Sequence, residues 1–199
     1  MKKFERLPPE QRRGEICRAA LRLFTEKGFA ATTMENIVAE VSLSKGGVYR
    51  LYPSTAAILS DLMLEGMRLR NAYYAQRVQE AAAAGRKLTL PFLVEVVGDS
   101  LLLCPEVSRI YVEFLWEKQR RPELEELYQQ ICAVSVAETT ELIRRCGAED
   151  LLQENTLTRL TELMNAAVLS LHVLHLEDEF SQYRPQLTDA IVQLLNIES

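Results

Sequence analysis

Ser44-Lys45-Gly46-Gly47-Val48-Tyr49-Arg50-Leu51-Tyr52 decides the fold, read together with Thr32-Thr33-Met34-Glu35-Asn36-Ile37 just upstream. Each stretch reads as one short helix. Thr32-x-x-Glu35 has capping-box spacing and Thr33 is the alternative cap, so the first of the pair starts at one or the other and runs through Ile37 to Glu40. Val41-Ser42-Leu43 makes the turn, Ser44 caps the second, Pro53 stops it, and Ser54 or Thr55 begins the next helix. Upstream, Pro9 to Lys27 predicts a helix with Ile16, Ala20, Leu23 and Phe24 on one face, closed by Gly28 as a left-handed cap. Three helices of this kind, the last two joined by a tight turn, form the unit that seats a helix in the major groove of a duplex.

A groove-entering helix must be short, exposed and small on one face, and Lys45-Gly46-Gly47 fits that profile. Two adjacent glycines cost roughly 2 kcal/mol of helix propensity relative to alanine, so their presence needs a cause. Close approach to DNA is one; tight packing of the third helix on the second, with Gly46 letting the turn close up, is the other. Val48 is expected in the small core of the first three helices. Arg50 is expected either on phosphate or in solvent.

The chain here resembles the TetR family of bacterial transcriptional regulators. The resemblance rests on Ile16, Ala20, Leu23, Phe24, Gly28, Phe29, Thr33, Ile37, Ala39, Ser44, Lys45, Gly46, Tyr49, Pro53 and Leu59, and covers about the first 60 residues. It implies an all-α protein of about nine helices: a helix-turn-helix DNA-binding head (1–54) and a C-terminal helical body for ligand binding and dimerisation (55–199). It also implies a phosphate contact by Tyr49 and a groove-facing Lys45. Thr33 and Ser44 lie at helix N-termini, where free N–H groups favour phosphate. The expected DNA-contacting set is Thr33, Ser44, Lys45, Gly46, Gly47, Tyr49, Arg50 and Thr55. Leu51 departs from the family's usual His or Tyr, Tyr52 from Phe, Thr55 from a phosphate-touching Lys, and Gly47 from Thr, Ser or Ala. Lys2, Lys3, Arg6, Arg12 and Arg13 are available to compensate for the missing cation.

Charge agrees with such a division. Residues 1–55 carry ten Lys or Arg against six acids, and the remainder thirteen against twenty-two, so a basic head sits on an acidic body. With 48% hydrophobic and 26% charged residues the chain has the make-up of a folded soluble protein. No run approaches the ~20 apolar residues of a membrane span. No apolar run follows the basic N-terminus, so no secretory leader is expected. Cys17, Cys104, Cys132 and Cys146 lack CxxC spacing and read as free thiols of a reducing cytoplasm.

Beyond the head, a long helix is expected from about Thr55 to Ala84, broken at Gly85. Further helices are expected at about 89–103, 105–120, 122–146, 153–177 and 184–197, with Pro105 and Pro122 in first-turn positions and a break at Gly147. The helix at 153–177 is apolar on two sides: Leu157, Leu160, Met164, Ala167, Leu171 and Leu174 on one, Leu163, Ala166, Leu169, Val173 and Leu176 on the other. A helix apolar on two sides needs cover on both. By resemblance it pairs with the last helix and with their copies in a homodimer, and the candidate interface is Leu160, Met164, Ala167, Leu171, Leu174, Leu187, Ile191 and Leu194; the alternative is a core helix in a monomeric bundle. Its third stripe, Thr158, Thr161, Asn165, Val168, His172, His175 and Glu179, lines a cavity or faces solvent.

Residues 110–118 gather Tyr111, Phe114 and Trp116 beside Glu113 and Glu117, a set suited to a cationic amphipathic ligand or to plain core packing. With Met63, Met67, Phe92, Tyr128, Cys132 and His172 they are the candidate lining of the small-molecule cavity that the resemblance implies. His172-x-x-His175 has metal-compatible spacing but no third ligand, so no metal and no cofactor are expected. No nucleophile–base pair or phosphate loop points to an enzyme. The expected partners are operator DNA, a second copy and a small-molecule effector, with no membrane. The expected function is that of a homodimeric repressor released from a near-palindromic operator by that small molecule. The alternative is a DNA-binding protein whose body is a protein-interaction module without an effector.

Overall fold

The computed structural model describes residues 8–100, 103, 105–152, 155–174 and 177–196, and among them all regular structure is helical. The elements are α1 (Pro9–Lys27), α2 (Met34–Ala39), α3 (Lys45–Leu51), α4 (Thr55–Ala83), α5 (Leu90–Ser100), α6 (Pro105–Glu117), α7 (Pro122–Arg145), α8 (Thr156–Val173) and α9 (Glu177–Asn196). A short 3₁₀ turn at Glu149–Leu151 precedes α8.

Local chemistry sets the head's boundaries. Pro9 opens α1, where its missing N–H is not needed. Gly28 closes it, its N–H donating to the Phe24 carbonyl at 2.9 Å. Its φ of 82° requires glycine, but its ψ of 153° is extended, not that of the left-handed cap expected. The chain therefore leaves α1 abruptly and drops Phe29 into the core, edge-on to Phe24 with ring centroids 5.1 Å apart. Of the two candidate caps for α2, Thr33 is the one used. Its hydroxyl accepts from the Asn36 N–H at 3.2 Å, and the Asn36 side chain accepts from the Thr33 N–H at 3.0 Å. Thr32 is buried and donates to the Gly28 carbonyl at 2.9 Å. Ser44 caps α3 through the Gly47 N–H, and Ser54 caps α4 through the Ala57 N–H, each at 3.2 Å.

One continuous core runs from head to body. Ile16, Phe24, Ile37 and Val48 of the head join Ile58, Leu59 and Leu62 of α4, which join Ile110 and Phe114 of α6 and Leu124 and Ile131 of α7. α4 spans about 44 Å at 1.5 Å per residue and packs against α1, α5, α6 and α7. Its far end enters a second core of Tyr74, Val78, Phe92, Val96, Ile143 and Leu157. Asp99, between Arg77 at 3.4 Å and Arg184, ties α4, α5 and α9 together.

Several boundaries differ from those expected. α5 and α6 end earlier, at Ser100 and Glu117, and α8 is confined to Thr156–Val173. α9 begins at Glu177, not near 184, and carries Pro185 inside it. The proline removes one backbone donor, and packing on α5 and α8 holds the helix through the gap. The candidate dimer residues separate as well. Leu160, Met164, Leu171 and Ile191 are buried in the protomer's own core. Ala167 and Leu187 are half-buried against it. Leu174 and Leu194 are exposed, and with Leu169, Val173 and Tyr183 they make the outward apolar surface of α8 and α9. Leu176, His175, Cys104, Lys2, Lys3 and Arg6 lie outside what is described, as does the side chain of Glu179.

Tyr52 departs from the resemblance by one hydroxyl, and that hydroxyl is used. It donates to Asp61 at 2.5 Å and touches the Cys17 sulfur at 3.3 Å. Arg13 lies over the ring at 5.0 Å and pairs with Asp61 at 3.1 Å. Burial and the bond to Asp61 push the phenol pKa up, keeping it a donor. Tyr52→Phe is expected to lower stability by about 1 kcal/mol, the net worth of a hydrogen bond, read as an earlier midpoint in urea. An unchanged midpoint would show that the hydroxyl adds nothing.

Candidate nucleic-acid interface and internal cavities

α3 presents Lys45, Gly46, Tyr49 and Arg50 outward, while Val48 is fully buried beneath. A Cβ added at Gly46 would meet nothing within 4 Å. That removes close packing of the turn as the reason for Gly46, since none of the described residues occupies the space. At Gly47 a Cβ would come within 3.3 Å of the Ser44 hydroxyl and 3.6 Å of Leu43. Gly47 thus serves the cap and the turn of its own helix, not an approach to α2. Thr33 and Ser44 accept from their own helices, which leaves each hydroxyl hydrogen able to donate outward. Thr55 is half-buried at the start of α4.

Glu35, read from the sequence as a capping-box residue, has a different place here. Its carboxylate accepts from Lys45 and from the Tyr49 hydroxyl, each at 3.1 Å, and Lys45 also sits 5.6 Å over the Tyr49 ring. The bond from Lys45 draws the Glu35 carboxyl below its ordinary pKa, so the group is ionised at neutral pH. All three side chains are exposed, so the cluster adds little stability. What it does is place a negative charge on the face that a polyanion would meet. Arg22 pairs with Glu40 at 2.6 Å, and Glu15 accepts from the Ser42 N–H at 2.6 Å, locking the turn onto α1. Arg50 makes no ion pair among the described residues.

Inside the body, two cavities of about 50 and 70 Å³ adjoin each other between α4, α6, α7 and α8. Met63 and Met67 line the first, Cys132 the second, and Tyr111 both. Thr161, Asn165 and Val168 of the α8 stripe also line them, while Thr158 faces solvent. The Tyr111 hydroxyl donates to Asn165 at 2.9 Å, and the Asn165 amide donates to the Tyr128 hydroxyl at 3.0 Å. Arg70, Tyr74 and Ser100 were missed. Arg70 and Tyr74 continue the three-and-four spacing that begins at Met63 and Met67, and that spacing was the available signal.

The other candidates lie elsewhere. Phe114 is packed in the core between Tyr111 and Tyr128, and Phe92 is buried in the second core. Trp116 is 60% exposed, under Arg120. Tyr128 touches the second cavity's wall through Asn165 and Cys132, and Lys118 lies 4.2 Å over its ring. His172 is half-buried near the end of α8, off both cavities. Glu113 and Glu117 line neither of these two cavities. Glu117 pairs with Arg121 at 3.2 Å, and Glu113 accepts from the Phe29 N–H at 2.5 Å. Glu113 therefore joins α6 to the chain between α1 and α2, which removes the carboxylates from the proposed cationic site. No cluster of metal-ligating side chains is present, and no helix is long and apolar enough to cross a membrane, among the described residues.

Residues 16–62 match the family of bacterial regulatory proteins, tetR family. Over 58 residues the chain is 38% identical to YfiR, an HTH-type transcriptional regulator of Bacillus subtilis; the match covers 29% of this chain and 28% of that one. So the chain matches under a third of the length of this relative. The whole fold is similar to that of Salmonella enterica GusR, at TM-score 0.68 and 20% identity over 96% of both chains. It is also similar to Thermus thermophilus FadR, a TetR-family transcriptional repressor solved with lauroyl-CoA, at TM-score 0.57 and 20% identity over 92% and 93% of the chains.

Glu35→Gln is expected to tighten binding to random-sequence duplex about five-fold at low salt, since one unit charge at 4 Å in water is worth about 1 kcal/mol. Anisotropy titrations across a salt series check this. Unchanged affinity would mean that Glu35 lies clear of the phosphates.

Proposed function

We propose that this chain, which belongs to the TetR family of bacterial DNA-binding regulators, works as a homodimeric repressor released from its operator by a small molecule. The carrying observation is the outward edge of α3, where Lys45, Tyr49 and Arg50 flank a Gly46 with empty space above it. Residues 1–54 act as the head and 55–199 as the body. Two copies place their α3 helices about 34–36 Å apart, so each reads one half of a near-palindrome. Gly46 admits the base edges, Tyr49 and Lys45 turn from Glu35 to the phosphates, and Thr33, Ser44 and Thr55 add hydroxyl contacts.

The second copy covers the outward apolar faces of α8 and α9. Val173 and Leu174 are 62% and 63% exposed, a disposition of large apolar side chains that suits an interface. A ligand enters between α4, α6, α7 and α8. Drug-sized ligands occupy roughly 300–1,000 Å³, so cavities of about 50 and 70 Å³ accept one only if those helices separate. α4 belongs to the head's own core, and α6 holds the head through Glu113 and Phe29, so their separation changes the spacing of the two α3 helices. FadR of Thermus thermophilus, a repressor of similar fold solved with a bound small molecule, supports this reading. Linkage requires that operator DNA weaken ligand binding by the factor by which ligand weakens DNA binding.

Anisotropy with the upstream DNA of its own gene, against scrambled DNA, is expected to show sequence-dependent binding that falls steeply with salt. Tyr49→Ala is expected to weaken it on the order of tenfold, as for loss of a hydrogen bond to a charged group. Equal, weak binding to both DNAs, with nothing recovered from a random-site selection, would overturn the reading. Leu174→Asp is expected to give monomers in sedimentation velocity and to abolish tight operator binding. A dimer unaffected by that change would move the interface elsewhere.

A further inference from the structure

The walls of the two cavities carry a single charged side chain, Arg70, and it lines both. Its guanidinium lies 5.8 Å from the centre of the Tyr111 ring and is half-buried. Unlike Arg13, Arg22, Arg68, Arg77, Arg121, Arg145 and Arg184, it has no carboxylate within ion-pair distance among the described residues. The carboxylates read from the sequence as cavity groups, Glu113 and Glu117, are bound to Phe29 and Arg121 instead. The rest of the lining is apolar, or neutral and polar: Met63, Met67, Ile131 and Val168 on one hand, Ser100 and Asn165 on the other.

From this geometry we infer that the cavity takes a small amphipathic organic anion, its carboxylate paired with Arg70 and its apolar part among Met63, Met67, Ile131 and Val168. The proposal rests on the body being a ligand site and adds the sign of the ligand's charge. A cation would have to leave water beside a guanidinium that has no carboxylate within ion-pair distance among the described residues, which is unfavourable on both desolvation and Coulomb grounds. A carboxylate meets the planar fork of guanidinium donors in the geometry it suits best, and supplies the one partner that the site lacks. Arg70 also touches the coupling route, because it stands on α4 and faces Tyr111 of α6, the two helices that hold the head. Closing an ion pair there pulls on both.

The test is calorimetric titration of the intact protein with two matched probe sets, benzoate, benzyl alcohol and benzylammonium, and hexanoate, hexanol and hexylammonium. Wild-type protein and Arg70→Met, which keeps the apolar stem and removes the charge, are compared, with thermal melting to confirm that the variant is folded. In at least one set the carboxylate is expected to bind about tenfold or more tighter than the alcohol, the scale of a charge-assisted hydrogen bond. The ammonium is expected to bind weakest, and Arg70→Met to erase the preference. A cation or alcohol that binds the wild type as tightly as the acid overturns the inference. So does a carboxylate preference that survives in Arg70→Met, or a failure of all six probes to bind. Operator titrations on the same samples separate the two readings. An acid that binds through Arg70 and leaves operator affinity unchanged supports the anion site while overturning the release mechanism. Release by a neutral or cationic compound, with no binding of the acids, does the reverse.

Discussion

The head of this protein has no core of its own that stops where its helices stop. Ile58, Leu59 and Leu62 of α4 are packed both with Ile16, Phe24, Ile37 and Val48 and with Ile110, Phe114 and Ile131. Close-packed interiors transmit displacement because they have few voids to absorb it. A helix that belongs to two regions of one core cannot shift for one of them alone. The Tyr52–Asp61–Arg13 cluster adds a polar tie at the same junction, and Glu113 adds a second, from α6 to the Phe29 N–H.

The DNA-facing surface has an opposite character. Its side chains are exposed, its ion pairs are worth little to stability, and its most open position is a residue without a side chain. Such a face can exchange partners at low cost. Glu35 gives Lys45 and Tyr49 an internal acceptor, and under the proposed function the phosphates of DNA compete for the same donors. The basic head over an acidic body orients the approach.

The two cavities lie where the body meets that shared core. Their small size follows from the packing of α4, α6, α7 and α8 around Tyr111, whose hydroxyl is held by Asn165 and so indirectly by Tyr128. A ligand that displaces this chain of hydrogen bonds reaches α6, and through α6 the head. The exposed faces of α8 and α9 stand apart from this route and are free to hold a second copy.

Much of this architecture was legible in the residues because it depends on local chemistry. Ser44 and Thr33 are caps whose N–H donors lie three residues away, Pro9 and Pro122 open helices by lacking a donor, and Gly28 needs a positive φ. The helix-turn-helix and the all-helical class follow from such short-range rules. What sequence periodicity could not assign was direction. Two apolar faces of α8 look alike along the chain, and only its packing turned Leu160 and Met164 inward and left Val173 and Leu174 outward. Glu113, from its neighbours alone, resembled a ligand group, yet the fold brings it 84 residues back to Phe29. Arg70 drew no notice in the sequence, yet the fold sets it in the wall of both cavities with no carboxylate within ion-pair distance among the described residues. Caps and periods are properties of a few neighbouring residues; which face is covered, and which charge is left without a partner, is decided by elements distant in the chain.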